Sequence, residues 1–327
     1  MSDALSEAVT RADLDELLRM VDGLCAARDW SVLMTLRDRC RDAQATGRQL
    51  WPVAAHIEYR VALEAPGPFV AAVLVEGAGR FALGPLPEVA ASTHSWDELA
   101  AHVTPGPAAA LTMHERVVRG DDLSATPLAG PSVLELPLRL EPWEPAYAVA
   151  EYHADRADFP APPLPVVTPV DLPSPAPRSD TEREVLHALR ELVAPWTRAS
   201  EGRADAVAVA GDALGAIAAL GPRHVRVARL EPEDALAAMA WAAASGGAHG
   251  RRPGAAAGRF GAWWAAAALC GLLDDWPVEP ARLGAAIGGL GWYAWDAAEP
   301  PTGWRLHVAV EDPKRGRAWV LAAGDAS

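Results

Sequence analysis

The spacing of apolar residues in the first part of the chain predicts successive amphipathic helices. Between residues 11 and 28, leucines and a valine recur at intervals of three and four, the repeat of one helix face. A later helix places Val53, Ile57 and Val61 on one inward face. Short connections rich in glycine and proline follow, as in helical hairpins stacked one after another. We therefore predict a multi-helical domain over residues 1–158, a bundle or an irregular solenoid-like layer.

Two helix starts carry the signature of a capping box, in which a serine and a glutamate three residues later satisfy each other's backbone N–H groups. Ser95 with Glu98 predicts the start of a helix at Trp96. Ser179 with Glu182 predicts another helix start, at the beginning of the second part of the chain.

A change of composition separates the two parts of the chain. Phe159 to Pro177 contains eight prolines in nineteen residues. Proline cannot donate a backbone hydrogen bond and favours the extended polyproline II conformation. We predict a semi-extended linker over residues 159–178.

Beyond the linker, helical and alternating patterns are mixed, which predicts an α+β domain over residues 179–327. Arg223–Leu230 alternates between apolar and polar residues, as expected for a half-buried strand. Near the end, Arg305–Val310 and Ala318–Ala322 flank a turn and predict a terminal β-hairpin. The predicted fold is mainly α, with a small sheet confined to the C-terminal domain.

The most apolar stretch, Phe260–Leu273, carries no charge. It is shorter than the roughly 20 residues that span a bilayer, so it predicts a helix apolar on all sides and buried in the protein. We place this buried central helix at residues 254–273. Gly254, Gly258 and Gly261 would permit close packing along it.

The net charge and the cysteine content limit which partners and which cellular compartment we expect for this protein. A net charge of −14 disfavours binding to nucleic acid, and no apolar run is long enough for a membrane span. The three cysteines are far apart and lie in apolar patterns, and the N-terminus does not resemble a secretory signal. We expect a cytoplasmic protein that binds protein partners or a second copy of itself.

A loop over residues 245–254 is the first candidate site. Its glycines precede a helix N-terminus, where free N–H groups favour an anion, and arginines can hold that anion through two hydrogen bonds. The candidate ligands are His249, Arg251, Arg252 and Gly254. The alternative is a flexible connection whose arginines face solvent or pair with acidic residues.

An aromatic cluster in the second domain is the other candidate site. Its members are Trp263, Trp264, Trp292, Trp295 and Trp304. Tryptophans that line a cleft can stack on a flat ligand or bind a proline-rich segment, of which the predicted linker is one. The alternative is ordinary core packing, the usual role of tryptophan.

We expect no metal and no cofactor, and the catalytic residues, if there are any, are unknown. Histidine and glutamate pairs such as His56 with Glu58 and His114 with Glu115 have spacings that do not share a helix face, as metal ligands on one helix must. Neither a nucleophile elbow nor a phosphate-binding lysine loop occurs.

Two blocks of sequence, His249–Phe260 followed by Trp263-Trp264, and Gly77–Leu86 together with His114-Glu115-Arg116, resemble an uncharacterised family of actinobacterial proteins. The resemblance extends over most of the chain. It implies an intracellular, actinobacterial protein and gives no catalytic residues to assign.

These observations favour an intracellular binding or scaffold protein that acts through protein–protein contacts. The alternative is an enzyme or sensor that binds a phosphate-bearing or carboxylate-bearing small molecule at the loop over residues 245–254.

Overall fold

The computed structural model describes residues 2–45, 47–174, 176–222, 224–298 and 302–326. The chain forms two compact units, each assembled from several stretches of sequence. The first unit comprises Met1–Arg119, Ala125–Val133 and Ala150–Asp158. The second unit comprises Gly120–Ser124, Leu134–Val149 and Phe159–Ser327. Pro175 and Arg223, which belong to the predicted linker and to a predicted strand, lie outside the described residues.

The first unit is multi-helical, as predicted. Within the described residues its helices are α1 (Ser2–Arg11), α2 (Leu14–Ala26), α3 (Trp30–Ala45), α4 (Trp51–Glu64), α5 (Gly67–Val73), α6 (Leu86–Thr93), α7 (Trp96–Ala100) and α8 (Pro107–Val118). Strands β1 (Glu151–Tyr152) and β2 (Ala157–Asp158) pair antiparallel beside them. Helix α4 supplies much of the core, since Val53, Ile57 and Val61 are fully buried on the predicted inward face.

One of the two predicted capping boxes is confirmed. The Ser95 side chain accepts from the Glu98 backbone N–H, and the Glu98 carboxylate accepts from the Ser95 N–H, so α7 begins at Trp96. The other prediction is wrong. Ser179 lies in a strand, where it pairs with Val209, and the next helix begins at residue 183 without a side-chain cap.

The second unit is α+β, as predicted. Its described helices are α9 (Arg183–Glu191), α10 (Ala194–Arg198), α11 (Ala213–Ala219), α12 (Pro232–Ala244), α13 (Ala255–Cys270) and α14 (Pro280–Ile287), with a 3-10 turn at Leu273–Asp275. Its described strands are β3 (Thr168–Val170), β4 (Ser179–Asp180), β5 (Arg203–Ala210), β6 (Val225–Leu230), β7 (Gly291–Asp296), β8 (Trp304–Asp312) and β9 (Arg317–Asp325). The predicted terminal hairpin is formed by β8 and β9.

The strands form one antiparallel sheet in the order β3-β6-β7-β8-β9-β5-β4. Side chains alternate between the two faces of a strand. On one face α11 packs over a core that includes Val227, Trp295 and Ala309. On the other face Leu306 and Val308 are also buried, and α12 packs against β6, β7 and β8. The sheet is therefore covered on both faces.

Helix α13 corresponds to the predicted buried central helix and packs along α12. A side chain at Gly258 would lie 2.3 Å from the Ala240 carbonyl oxygen, and one at Gly261 would lie 2.9 Å from the Ala243 Cβ. The prediction that these two glycines permit close packing is confirmed. Among the helices that the structure describes, none combines the length and the apolar character needed to cross a membrane.

Candidate functional site

Strands β7 and β8 separate at one end of the sheet and form a fork. Their ladder runs from the pair Gly291 and Glu311 to the pair Ala294 and Val308. Beyond this pair β7 continues its ladder with β6, and β8 continues with β9. In the opening the Trp295 and His307 rings stack, with centroids 4.6 Å apart and an interplanar angle of 21°.

The fork opens into a cavity of about 300 Å³. Pockets that hold small molecules are mostly apolar with a few placed polar groups. The apolar walls here include residues of β6, α12, β7 and β8, among them Trp241 of α12. The polar lining residues are Asp296, Arg305 and His307. A small, mainly apolar ligand with a few polar atoms would suit this lining.

Three ring nitrogens of the lining residues are buried and have no hydrogen-bond partner among the described residues. They are Nε1 of Trp241, Nε1 of Trp295 and Nδ1 of His307. A buried polar group without a partner costs about 1–3 kcal/mol, so native proteins pair most such groups with protein, water or ligand. Indole nitrogens only donate, so two of the three require an acceptor.

The His307 imidazole is neutral at physiological pH. Burial, the largest cause, and the neighbouring Arg305 lower its pKa to about 4, although the Asp296 carboxylate and the Trp295 backbone carbonyl act in the opposite direction. A neutral imidazole keeps one nitrogen as an acceptor and one as a donor. The ring therefore contributes hydrogen bonding and stacking to the cavity, without a positive charge.

The two charged lining residues differ in what they already bind. Asp296 accepts two hydrogen bonds from Arg226, at 2.9 and 2.8 Å, and a third from the Ala298 N–H. These interactions outweigh burial and lower the pKa of Asp296. Arg305, in contrast, makes no hydrogen bond or ion pair with the described residues. The charge that remains available at the cavity is therefore positive.

The proline-rich segment forms one wall of the same cavity. Its lining residues are Ala161, Pro162, Leu164, Pro165 and Val167. The segment then enters the sheet as β3, which pairs with β6. This part of the predicted linker is thus docked beside Trp241 and Trp295, the kind of contact that proline-rich segments make with aromatic residues.

Sequence reasoning missed Trp241, Asp296, Arg305 and His307. The alternation of β8 places Arg305 and His307 on the face opposite Leu306. Both side chains are part-buried, and Ala309 of the same face packs in the core beneath α11. One sequence signal could have indicated that both faces of β8 are covered. Val308, Ala309 and Val310 are consecutive apolar residues, so they place apolar side chains on both faces of the strand.

The five tryptophans of the predicted aromatic cluster lie in different surroundings. Trp295 lines the cavity, and Trp304 packs on Trp241 with ring centroids 5.0 Å apart. Trp292 is buried and donates to the Ile287 carbonyl.

The other two tryptophans belong to α13. Trp263 packs on Trp143 and donates to the Glu144 carboxylate, while Trp264 packs with Phe260 and Trp276. Only Trp295 and Trp304 are thus associated with the fork.

The loop over residues 245–254 binds a carboxylate from its own chain. The Ala248 N–H donates to Asp325 at 2.6 Å, and the Ser200 hydroxyl donates to the same carboxylate at 3.1 Å. Asp325 is buried. The glycines of this loop therefore allow close approach of an anion, and that anion is a side chain of β9.

The predicted anion ligands lie around this contact in different environments. His249 and Arg251 are exposed, and the Arg252 guanidinium lies 4.7 Å from the centroid of the Phe159 ring. Gly254 precedes α13 with a φ of 107°, a conformation that favours glycine.

No metal centre is formed by the residues that the structure describes, since no three histidine, cysteine, aspartate or glutamate side chains group in a way that could hold an ion. His56 borders a surface pocket of the first unit, and Glu58 is buried.

Comparison with curated proteins and with solved structures gives no match. A family model does match, and it covers residues 15–327, nearly the whole chain. The resemblance seen in the sequence to a family without an assigned activity is consistent with this match. The chain belongs to the family of unknown function DUF6183.

Proposed function

We propose that this protein is a binding protein whose second unit holds a small, planar carboxylate at the β7–β8 fork. The observation that carries the proposal is one apolar cavity lined by Trp241, Trp295 and His307, whose buried ring nitrogens have no hydrogen-bond partner among the described residues. Two of these are obligate donors, and Arg305 adds a cation that has no ion-pair partner among the residues that the structure describes. A carboxylate ligand would pair with Arg305 and bring oxygen acceptors into the cavity that the two indoles line.

The walls of the cavity define the rest of the ligand. Indole and imidazole rings present flat apolar faces, which favours a planar body over a branched one. Guanidinium binds carboxylate through two parallel hydrogen bonds. An aromatic carboxylate combines the two features. The sequence analysis also considered a carboxylate-bearing ligand, but at the loop over residues 245–254; here the proposed site is the fork.

The test uses benzoate and indole-3-carboxylate as probes, with the corresponding amides as uncharged partners. Binding is measured by thermal stabilisation of the full chain, because a ligand that binds only the folded state raises the melting temperature. We expect the carboxylates to stabilise the wild type more than the amides do. Arg305→Met should remove the difference between acid and amide.

Two conservative substitutions test the donors, and a third is the control. Trp241→Phe and Trp295→Phe keep an aromatic ring and remove one N–H group each, so each should weaken carboxylate binding. Trp264→Phe removes an indole that packs with Phe260 and Trp276, and it should leave binding unchanged. Equal stabilisation of the wild type and all three tryptophan variants would refute the proposal, as would no stabilisation by either carboxylate.

We also propose that the protein acts in the cytoplasm of an actinobacterium. Cys25 and Cys40 are buried free thiols and Cys270 is a third free thiol, a pattern suited to a reducing compartment. Lys314 is the only lysine among 29 basic residues, which is typical of proteins encoded by GC-rich genomes. Fractionation of the native host with an antibody to the chain tests the location.

A further inference from the structure

Gly324 lies within a central strand, although neither its conformation nor its packing requires a glycine. It belongs to β9, between β8 and β5 in the sheet. Its backbone does not adopt the left-handed conformation that favours glycine. Among the described residues, a side chain at this position would have only the Trp304 carbonyl oxygen within 4 Å, at 3.8 Å. A glycine within a strand weakens it and often marks a place where a ligand approaches the backbone closely.

Two arginines flank this glycine on the same face of the sheet. Arg203 of β5 and Arg305 of β8 are both register partners of Gly324. Neighbouring strands lie about 4.8 Å apart, so the two arginine Cα atoms are about 10 Å apart, and no side chain stands between them. Both arginines can therefore reach a molecule that is bound over Gly324.

The space over Gly324 is a cavity of about 400 Å³ that adjoins the cavity at the fork. Its lining includes Arg203 and Ala322, and it shares Arg305 and His307 with the fork cavity. Ala322 pairs with His307 in the β8–β9 ladder, so two small residues of β9 form the floor beside the arginines. Because the two cavities share two lining residues, a ligand held at Arg305 has room to extend from one cavity into the other.

The two arginines remain available to an anion. Neither Arg203 nor Arg305 makes a hydrogen bond or an ion pair with the residues that the structure describes. Asp325 also lines the cavity, but its carboxylate already accepts two hydrogen bonds. Glu201 and Asp205 lie two residues before and after Arg203 and are exposed, and neither forms an ion pair with it. A guanidinium without a partner binds a carboxylate through two parallel hydrogen bonds.

We propose that Arg203 binds a second acidic group of the ligand held at the β7–β8 fork, so that this ligand is a planar dicarboxylate. The inference rests on the proposed function, in which Arg305 binds the first carboxylate. The missing side chain of Gly324 leaves the path from Arg305 to Arg203 open. The fixed separation of the two strands favours a rigid body that carries its two charges at separate positions of one ring.

The probes are isophthalate and terephthalate, each compared with its monoamide, 3-carbamoylbenzoate or 4-carbamoylbenzoate. A monoamide keeps the shape and one carboxylate of its diacid and lacks the second charge. Calorimetry at constant ionic strength measures the affinity of the full chain for each probe. We expect at least one diacid to bind about fivefold more tightly than its monoamide, the effect of a partly exposed ion pair.

Two substitutions test the second subsite, and a third is the control. Arg203→Met should remove the preference for the diacid. Gly324→Val keeps both arginines but fills the space between them, so it should weaken diacid binding without lowering the melting temperature, because valine is favourable in strands. Arg229→Met removes the charge of an exposed arginine of β6 that lines neither cavity, and it should leave the preference unchanged.

The results separate this inference from the proposed function. Equal affinities of the wild type for each diacid and its monoamide would overturn the inference, and binding of benzoate would then still support the proposed function. A preference for the diacid that survives Arg203→Met would also overturn the inference. If neither benzoate nor either diacid binds the wild type, both proposals are wrong.

Discussion

Arg259 and Glu144 form a bidentate ion pair that is completely shielded from solvent. Arg259 Nε and Nη2 each donate to Glu144 at 2.7 Å, and the two side chains are 1% and 0% exposed. Tyr147 and Trp263 donate to the same carboxylate. These hydrogen bonds outweigh burial and lower the pKa of Glu144. The pair joins helix α13 to the segment over residues 134–149 of the same unit.

Breaking this pair should destabilise the protein strongly. Glu144→Gln leaves a buried guanidinium without its counter-charge, which costs about 3–5 kcal/mol in the free energy of unfolding. Replacing both residues with methionine should cost less than the two single methionine substitutions together, because the double variant leaves no unpaired charge. Urea unfolding followed by circular dichroism measures the wild type and all four variants.

An exposed pair provides the control. Arg282 and Asp275 are 2.8 Å apart, and their side chains are 54% and 51% exposed. Asp275→Asn should change the free energy of unfolding by less than about 1 kcal/mol. A Glu144→Gln variant as stable as Asp275→Asn would show that the buried pair is not a structural requirement.

The glycines of two helices should respond in opposite directions to the same substitution. Gly258→Ala places a methyl group 2.3 Å from the Ala240 carbonyl oxygen, so α12 and α13 must move apart, at a cost of about 1–3 kcal/mol. Gly23 lies within α2 with no atom near its missing side chain. Gly23→Ala should stabilise the protein by about 0.5–1 kcal/mol, through helix propensity alone.

Melting temperatures of the two alanine variants measure this difference. A Gly258→Ala variant with the melting temperature of the wild type would mean that the two helices pack less closely than the structure shows. A fall in melting temperature for Gly23→Ala would contradict the open environment of that residue.

The sequence predicted most of the elements because their signals are local. The inward face of α4 and the β8–β9 hairpin follow from the spacing of apolar residues, and the start of α7 follows from Ser95 and Glu98. Ser179 carries the same local signal and fails. It pairs instead with Val209 of β5, a long-range contact that outweighs the weak preference for a cap.

The interior chemistry could not be predicted, because it depends on which distant residues meet. Arg259 precedes an apolar run, and a charged residue at such a position usually faces solvent. In the structure it is buried, and its charge is neutralised by Glu144, which lies more than a hundred residues away in sequence. The role of His307 depends on the end of the β7–β8 ladder, which no spacing within β8 reveals. Asp325 likewise reaches the loop over residues 245–254 only through the fold.

The cysteines should resist chemical modification in the folded protein. Burial raises the pKa of Cys25 and Cys40 to about 11 and that of Cys270 to about 12, so the reactive thiolate is scarce at neutral pH. Iodoacetamide at about pH 8 should label the native chain slowly and the urea-unfolded chain at all three positions. Mass spectrometry counts the adducts. Rapid labelling of Cys40 in the native protein would contradict its burial.

Acidification should test the burial of His307. Its folded pKa of about 4 lies below the ordinary value of 6.5, so the unfolded chain binds more protons between these values. The stability that His307 contributes is therefore complete above about pH 6.5 and is lost as the pH falls towards 4. Between about pH 7 and pH 5.5 the expected loss in the free energy of unfolding is about 1 kcal/mol.

Urea unfolding of the wild type and of His307→Gln at both pH values should show a smaller loss in the variant. His249→Gln, a substitution of an exposed histidine on the loop over residues 245–254, should follow the wild type. If His307→Gln keeps the full pH dependence of the wild type, the imidazole is accessible to water at the fork.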